Sequence, residues 1–311
     1  MSHNVIVGNS CGVFSAFLNF FSWMSIAEEN GLDISLHVAN KTNDWNNSST
    51  TVKNPYIRSS QFDKSKLDTN VLLGIFESDV VKKEYPESFI YLEHYPELFT
   101  NSLENYPQYL FKYGGKGGMP ILYQDGQHLN FIRQKFNEQW NKLSYTSRFD
   151  KLVKQEEELI KDKKVLSIML RTIYHYLNSS TGKVLTESEV ESFIQSAIKC
   201  VRDRMDDYDS VLITTQNQPY IDAFVKEFGD SCVFVDRKRF EDFDDWRGVG
   251  KNTYELTDDE YRSEVENCLL DVILTSKSDH ILGTCSNMFL GALSMNTENT
   301  CELIQKQFWG A

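Results

Sequence analysis

No surplus of positive charge exists in this chain: 32 Lys and Arg face 45 Asp and Glu, a formal net charge of −13. A nucleic-acid backbone needs a basic surface to bind, so it is excluded as the main partner. One small phosphate ligand in a locally positive cleft is not. Long apolar runs are missing too, since none reaches the roughly 18 residues of a membrane span. The apolar segment Val13–Ala27 has no Lys or Arg ahead of it and is interrupted by Asn19 and serines, so it reads as neither span nor signal peptide. The six cysteines (Cys11, Cys200, Cys232, Cys268, Cys285, Cys301) form no C-x-x-C pair, and the six histidines show no paired spacing. That argues against structural zinc and for reduced, small hydrophobic cysteines in a soluble cytoplasmic protein. A nucleophile elbow with its triad is absent, and no G-x-G-x-x-G supports a dinucleotide fingerprint. Gly114–Gly118 lacks the Gly-Lys-Ser/Thr ending of a phosphate loop and reads as a plain loop.

What is present is enough for two domains of ordinary size: 311 residues, 41% hydrophobic and 25% charged. Asn4–Val7 reads as a strand, a small-residue loop follows at Gly8–Gly12, and an amphipathic helix runs to about Asn30 before a second strand at Asp33–Val38. Lys41–Ser60 is a polar loop, and helices are expected over Leu129–Leu143 and Phe149–Ile160. From Lys164 the pattern becomes regular. Strands at Val165–Leu170, Val211–Thr214 and Cys232–Val235 alternate with helices at Glu187–Met205 and Tyr220–Phe228, the first opened by a Thr186/Glu189 capping box. A polar loop spans Asp236–Thr253, and the tail Glu298–Trp309 reads as a last helix. Such alternation predicts a doubly wound parallel sheet. The domain boundaries drawn from it are 1–160, 161–295 and a C-terminal helix over 296–311, placed back on the first domain.

The stretch Asp258–Met295 organises the second half. Tyr261, Val265, Cys268, Leu269, Val272 and Ile273 recur as one helical stripe, Ile281–Gly283 is a short strand, and a second apolar helix begins near Ser286. Strand, small polar turn and helix N-terminus present free backbone N–H groups to an anion, which makes Thr284, Ser286 and Asn287 candidates for a phosphate. The plainer alternative is an ordinary N-cap. Arg171 ends a very apolar strand, where a cation needs a partner. Its planar fork suits two phosphate oxygens, or else an acidic side chain in a structural ion pair. His175, four residues on, could serve as a base. Asp207-Tyr208-Asp209 and Asp242-Phe243-Asp244 spell D-x-D, a motif able to hold a divalent metal when it follows a strand; the first precedes its strand and the second lies in a charged loop.

These pieces resemble the fucosyltransferase superfamily that includes α-1,6- and α-1,2-fucosyltransferases and protein O-fucosyltransferases. Val165–Thr172 resembles the family's strand ending in His-x-Arg-Arg/Gly-x-Asp, with Arg171 on the arginine for the donor β-phosphate. Val211–Asn217 resembles its strand ending in Ala-Thr-Asp-Asp, with Gln216 and Asn217 on the acidic pair. Leu269–Asn287 resembles its helix, strand and Thr-x-Ser-Ser turn: Asp271 falls on the aspartate that reads the guanine edge, and Thr284, Ser286 and Asn287 fall on the phosphate turn. Near the N-terminus Gly8–Phe14 resembles the Gly-rich first loop, with Ser10, Cys11 and Gly12 nearest the donor. The sequence departs from the motifs at Met169 (His in the family), Thr172, Tyr174 and the neutral Gln216-Asn217.

The resemblance implies an α/β, GT-B-like fold with two Rossmann-like domains facing across a cleft, the first on the acceptor side and the second binding the nucleotide sugar. It implies an inverting, metal-independent glycosyltransferase with no cofactor, moving a sugar, fucose from GDP-fucose in the first instance, to a glycan acceptor. The departures leave open another GDP- or UDP-sugar, a catalytically silent nucleotide- or glycan-binding relative, and a metal-dependent enzyme using a D-x-D site.

Overall fold

The computed structural model describes the helical positions Phe14, Phe17, Phe21, Met24, Ser25 and Glu28, and residues 71–81, 126–170, 186–239, 258–284 and 286–304. The chain forms two compact units, Met1–Leu152 with Asp258–Glu266, and Val153–Thr257 with Asn267–Ala311. The expected N-terminal strands, the loop Gly8–Gly12 and the glycine run Gly114–Gly118 lie outside the described residues.

The first unit holds an aromatic core. Phe14, Phe17, Phe21 and Met24 recur at helical spacing and are all buried, as an amphipathic helix requires. Helices α1 (Gly126–Trp140) and α2 (Ser147–Glu157) follow. Trp140 meets Phe17, Phe21 and Phe76 edge-on, with ring centroids 5.6, 5.5 and 6.0 Å away, the offset geometry that ring quadrupoles favour. A buried Gln139 amide donates to Ser25 Oγ at 3.3 Å and Glu28 Oε2 at 3.2 Å, so the polar group in this core is satisfied.

The second unit is an open, wholly parallel sheet. Its strands are β1 (Val165–Met169), β2 (Ser210–Thr214), β3 (Cys232–Val233), β4 (His280–Gly283) and β5 (Thr300–Leu303), in the order β3-β2-β1-β4-β5. The helices between them are α3 (Glu187–Arg202), α4 (Gln218–Phe228), α5 (Asp258–Ser276) and α6 (Asn287–Met295). Strands β1 and β2 are buried along their whole length, the continuous apolar signature of a sheet covered on both faces.

Side-chain alternation divides the two faces. Leu166, Ile168, Leu170, Val211, Ile213 and Leu282 join one apolar cluster with Ile194, Ile198 and Val201 of α3 and Tyr220, Ile221 and Phe224 of α4. The residues between them meet α5, α6 and the turn after α5: Thr214 Oγ1 lies 3.1 Å from Thr275 Oγ1, Ser167 Oγ bonds Ser278 Oγ, and Gly283 abuts Phe289. Both capping-box bonds of α3 form, Glu189 N to Thr186 Oγ1 at 3.3 Å and Thr186 N to Glu189 Oε2 at 2.9 Å. The stripe expected on α5 is broader than one face. Every residue from Cys268 to Ser276 is buried, so the second half of this helix is enclosed all round.

The expected C-terminal helix over 296–311 is corrected: Thr300–Leu303 is an edge strand parallel to β4. The exposed backbone edge of β4 decides this. Pairing with β5 satisfies its donors and acceptors, and Ile304 N closes the ladder on Gly283 O at 3.0 Å. Arg204 then locks the strand from α3's side, its guanidinium 2.6 and 2.8 Å from the two carboxylate oxygens of Glu302.

Candidate functional site

In an open α/β sheet, ligands bind beyond the carboxyl ends of the strands, where the strand order reverses. Here that switch point falls between β1 and β4, because the chain winds outward from β1 through β2 to β3 and then crosses to β4. Met169 pairs with Gly283, and Thr284 N lies 3.4 Å from Met169 O. The carboxyl ends of β1 and β4 therefore lie side by side at the same edge.

Gly283 is what lets α6 approach the end of β4 so closely. A Cβ placed there would run into the Phe289 ring, with Cγ at 2.9 Å and two further ring carbons closer still. Phe289 is wholly buried, so α6 packs against the end of β4 at a separation only glycine permits. Ser286 then caps α6: its backbone is extended (φ −150°, ψ 160°), and its Oγ accepts from Phe289 N at 3.1 Å. The N-cap role weighed for this residue is thus observed. The same geometry leaves the N–H groups of Asn287 and Met288, in the first turn of α6, without intrahelical acceptors at the positive end of the helix dipole. Thr284 is buried beside them.

A second feature of this edge was not anticipated. Arg237, four residues beyond β3, places its Nη2 2.5 Å from Asp271 Oδ2 of α5 and donates to Thr215 O at 3.2 Å. Both side chains are 1% exposed, so this is a fully buried ion pair. Arg239 stiffens the same segment, donating to Val235 O at 2.6 Å and Arg237 O at 3.2 Å, with its guanidinium over the Phe234 ring. The signal that could have found the pair is an aspartate inside Leu269-Leu270-Asp271-Val272-Ile273. A charge in such an apolar window demands a partner.

The structure brings Thr284, Ser286, the α6 backbone at Asn287, Gln216 and Asp271 to one end of the sheet unit, and it buries Asp271 in the Arg237 ion pair. Gln216 is half-buried, between the buried Thr215 and Asn217. Arg171, His175, Ser10, Cys11 and Gly12 lie outside the described residues.

The opposite, amino edge is closed by acids. Asp209 Oδ2 accepts from Lys164 N and Asp279 Oδ2 from Val165 N, each at 2.7 Å. The first D-x-D therefore sits at the end of the sheet away from the switch point, with one carboxylate occupied by backbone; the second lies outside the described residues. Among the described residues, no three His, Cys, Asp or Glu side chains converge as a metal site would need. His280 Nδ1 is 2.7 Å from Thr300 Oγ1, which itself donates to Asp279 O at 3.2 Å, so His280 is the donor to that hydroxyl. Burial holds the His280 pKa below its ordinary value. Glu156 is shifted upward, first by burial and then by the nearby Asp236. No helix among the described residues is long and apolar enough to cross a membrane.

These features define a class of fold: an open, doubly wound parallel α/β unit with a tight strand–turn–helix at its switch point. Among solved structures the chain is similar to fucosyltransferase NodZ from Bradyrhizobium, with a TM-score of 0.54, 11% identity, and 100% of this chain and 97% of that one covered. It is likewise similar to NodZ α-1,6-fucosyltransferase co-crystallised with GDP (TM-score 0.51, 12% identity, 94% and 92% covered) and soaked with GDP-fucose (0.50, 10%, 95% and 93%). No protein-family profile and no curated protein matches the sequence. The chain has the α/β, GT-B-like fold of these fucosyltransferases, and the resemblance read from its motifs holds at the level of fold.

Proposed function

We propose that this protein is an inverting, metal-independent glycosyltransferase that moves a sugar from a nucleotide-sugar donor, GDP-fucose being favoured, to a glycan acceptor. The observation that carries this reading is the switch point. The turn from Gly283 into α6 and the end of β1, which Arg171 follows in sequence, leave one edge of the sheet together. In this reading the diphosphate is held by the Arg171 guanidinium and by the amides opening α6, the two kinds of donor suited to phosphate oxygens. The likeness to NodZ, solved with GDP and with GDP-fucose, supports the choice of donor.

In the reaction, an acceptor hydroxyl oxygen attacks the anomeric carbon as the bond from that carbon to the β-phosphate oxygen breaks. The hydroxyl proton passes to a base, a role assigned to His175, and the departing nucleoside diphosphate carries the bonding pair away. Arg171 and the amides of the α6 turn stabilise the charge that develops on it, the kind of preorganised electrostatic contribution that dominates such transfers.

Thermal-shift scanning with GDP, UDP, GDP-fucose and free sugars tests the reading. A rise in Tm with GDP and GDP-fucose is expected. No shift with any nucleotide overturns it. The neutral Gln216-Asn217 and the Met169 that replace the family's ionisable residues favour one second reading, a nucleotide-binding relative without activity. That protein would show the thermal shift and release no GDP from GDP-fucose under any acceptor.

A further inference from the structure

Strand β5 is tied to the rest of the sheet unit at both of its ends. At the amino end His280 pairs with Thr300 across the ladder, and its Nδ1 donates to Thr300 Oγ1 at 2.7 Å. Two residues on, Glu302 pairs with Leu282 and lies on the same face, where the Arg204 guanidinium is 2.6 and 2.8 Å from its two carboxylate oxygens. Arg204 is itself fixed, its Nη1 donating to Cys200 O at 2.6 Å in the last turn of α3. At the carboxyl end Ile304 N bonds Gly283 O at 3.0 Å. Between these ties the strand has little to hold it. It has one strand neighbour, its four residues are exposed or half-buried, and only Ile304 just beyond it is enclosed. Segments with so few buried contacts open at a lower free energy than the core.

The corner around His280 disfavours a charge on its ring. Burial lowers the His280 pKa first of all, Glu302 opposes this, and Arg204 adds to it. Glu302 does not simply neutralise an imidazolium, because Arg204 already engages both of its oxygens. Among the described residues, the other groups nearby are engaged or neutral. Asp279 gives its Oδ2 to Val165 N, Asp203 pairs with Lys199, burial raises the pKa of Cys200 and of Tyr208, and β1 brings the apolar Leu166 opposite His280.

We propose that β5 is an acid-sensitive clasp, closed on β4 while His280 is neutral and released from it as a unit when His280 takes up a proton. In the released strand the imidazole faces water. The open form therefore binds the proton at a higher pH than the closed form, and opening is favoured progressively as pH falls below 6.5 toward the closed-form pKa. Release also frees Gly283 O, so a proton taken up at the amino edge loosens the backbone at the carboxyl edge, where α6 packs against the end of β4. The clasp acts through the strand alone, whatever ligand the carboxyl edge takes.

Amide hydrogen exchange of the full chain, followed by mass spectrometry from about pH 8 to about pH 5 and divided by the intrinsic rate at each pH, measures the opening of β5 and Ile304. Ile168 in the central strand β1 reports opening of the whole sheet. The β5 segment is expected to open at least about tenfold more readily than Ile168 at every pH, and its opening to rise at least about threefold on acidification. His280→Gln keeps a donor for Thr300 but cannot be protonated, so its β5 opening should change by less than about 1.5-fold over the same range. If that variant does not fold, His280→Asn serves in its place with the same expectation. Glu302→Gln gives up the ion pair with Arg204 and leaves the ring in place, and should raise the opening at least about twofold already at pH 8. A segment that opens only together with Ile168, a parent opening that does not respond to pH, a response that survives in His280→Gln, or a Glu302→Gln protein that opens no more than the parent overturns the inference.

Discussion

At Asp271 and at Gly283 the surrounding packing fixes which residue can stand there. Removing one partner of a buried ion pair leaves the other charge uncompensated, which costs about 3–5 kcal/mol, whereas replacing both with apolar groups of similar volume is often neutral. Arg237→Ala and Asp271→Ala should each lower the urea midpoint by that equivalent, and Arg237→Met/Asp271→Leu should recover most of the loss. A double variant as unstable as the singles would show that the pair contributes more than charge balance. At Gly283 the obstacle is steric. A methyl group there meets the Phe289 ring, so Gly283→Ala should destabilise by about 1–3 kcal/mol, the range for overpacking. Trimming the ring with Phe289→Leu in the same chain should return part of it, again read from the urea midpoint. Gly283 was legible only as the end of the strand Ile281–Gly283, with the turn announced by the small polar residues after it; its close approach to Phe289 is a tertiary fact that the local sequence does not display. Arg237 was not legible, because Asp236-Arg237-Lys238-Arg239 reads as a solvated polar loop until the aspartate in the facing helix is asked where its countercharge lies.

At the scale of elements, strands and helices of the second half declared themselves through apolar runs and caps, and the Thr186/Glu189 box sits where its sequence places it. The edge strand β5 did not. Thr300-Cys301-Glu302-Leu303 is too short to show a period of two, and its state is set by the open edge of β4, a partner that local sequence does not display. The same distinction between local and tertiary causes gives a test at α6. Ser286→Ala removes the cap and should cost about 1 kcal/mol. Ser286→Asp keeps a competent cap and so should hold the melting temperature near that of the parent, while setting a carboxylate beside the amides assigned to the diphosphate. GDP affinity should then fall at least tenfold in Ser286→Asp with stability retained. Equal GDP binding by parent and Ser286→Asp would mean that the turn is a cap alone and that no anion visits it.

For the whole molecule, the two edges of the sheet do different work. The amino edge is closed by Asp209, Asp279 and the His280–Thr300 contact. Because burial lowers the His280 pKa in the folded chain, the unfolded chain takes up this proton first as pH falls below 6.5, and stability declines on acidification until the folded-state pKa is passed. His280→Gln should flatten that part of the pH–stability curve, and a curve that stays as steep would assign the decline to other groups.

On the proposed reading the carboxyl edge faces the opposite problem: a chain of net charge −13 would have to hold a ligand that is itself an anion. Local donors have to outweigh the field of the whole. In the proposed site they are the Arg171 guanidinium and the amides opening α6, with no cation borrowed from solution. Two outcomes follow together. Product formation from GDP-fucose should persist with EDTA in excess, since removing free divalent ions removes nothing the site relies on. Arg171→Ala should weaken GDP binding by about 1.5–3 kcal/mol, the worth of hydrogen bonds to charged groups, or roughly ten- to hundredfold in Kd. Activity that vanished in EDTA and returned with added Mn²⁺, alongside an Arg171→Ala protein of parental affinity, would transfer the neutralising role to a metal and retire the guanidinium from it.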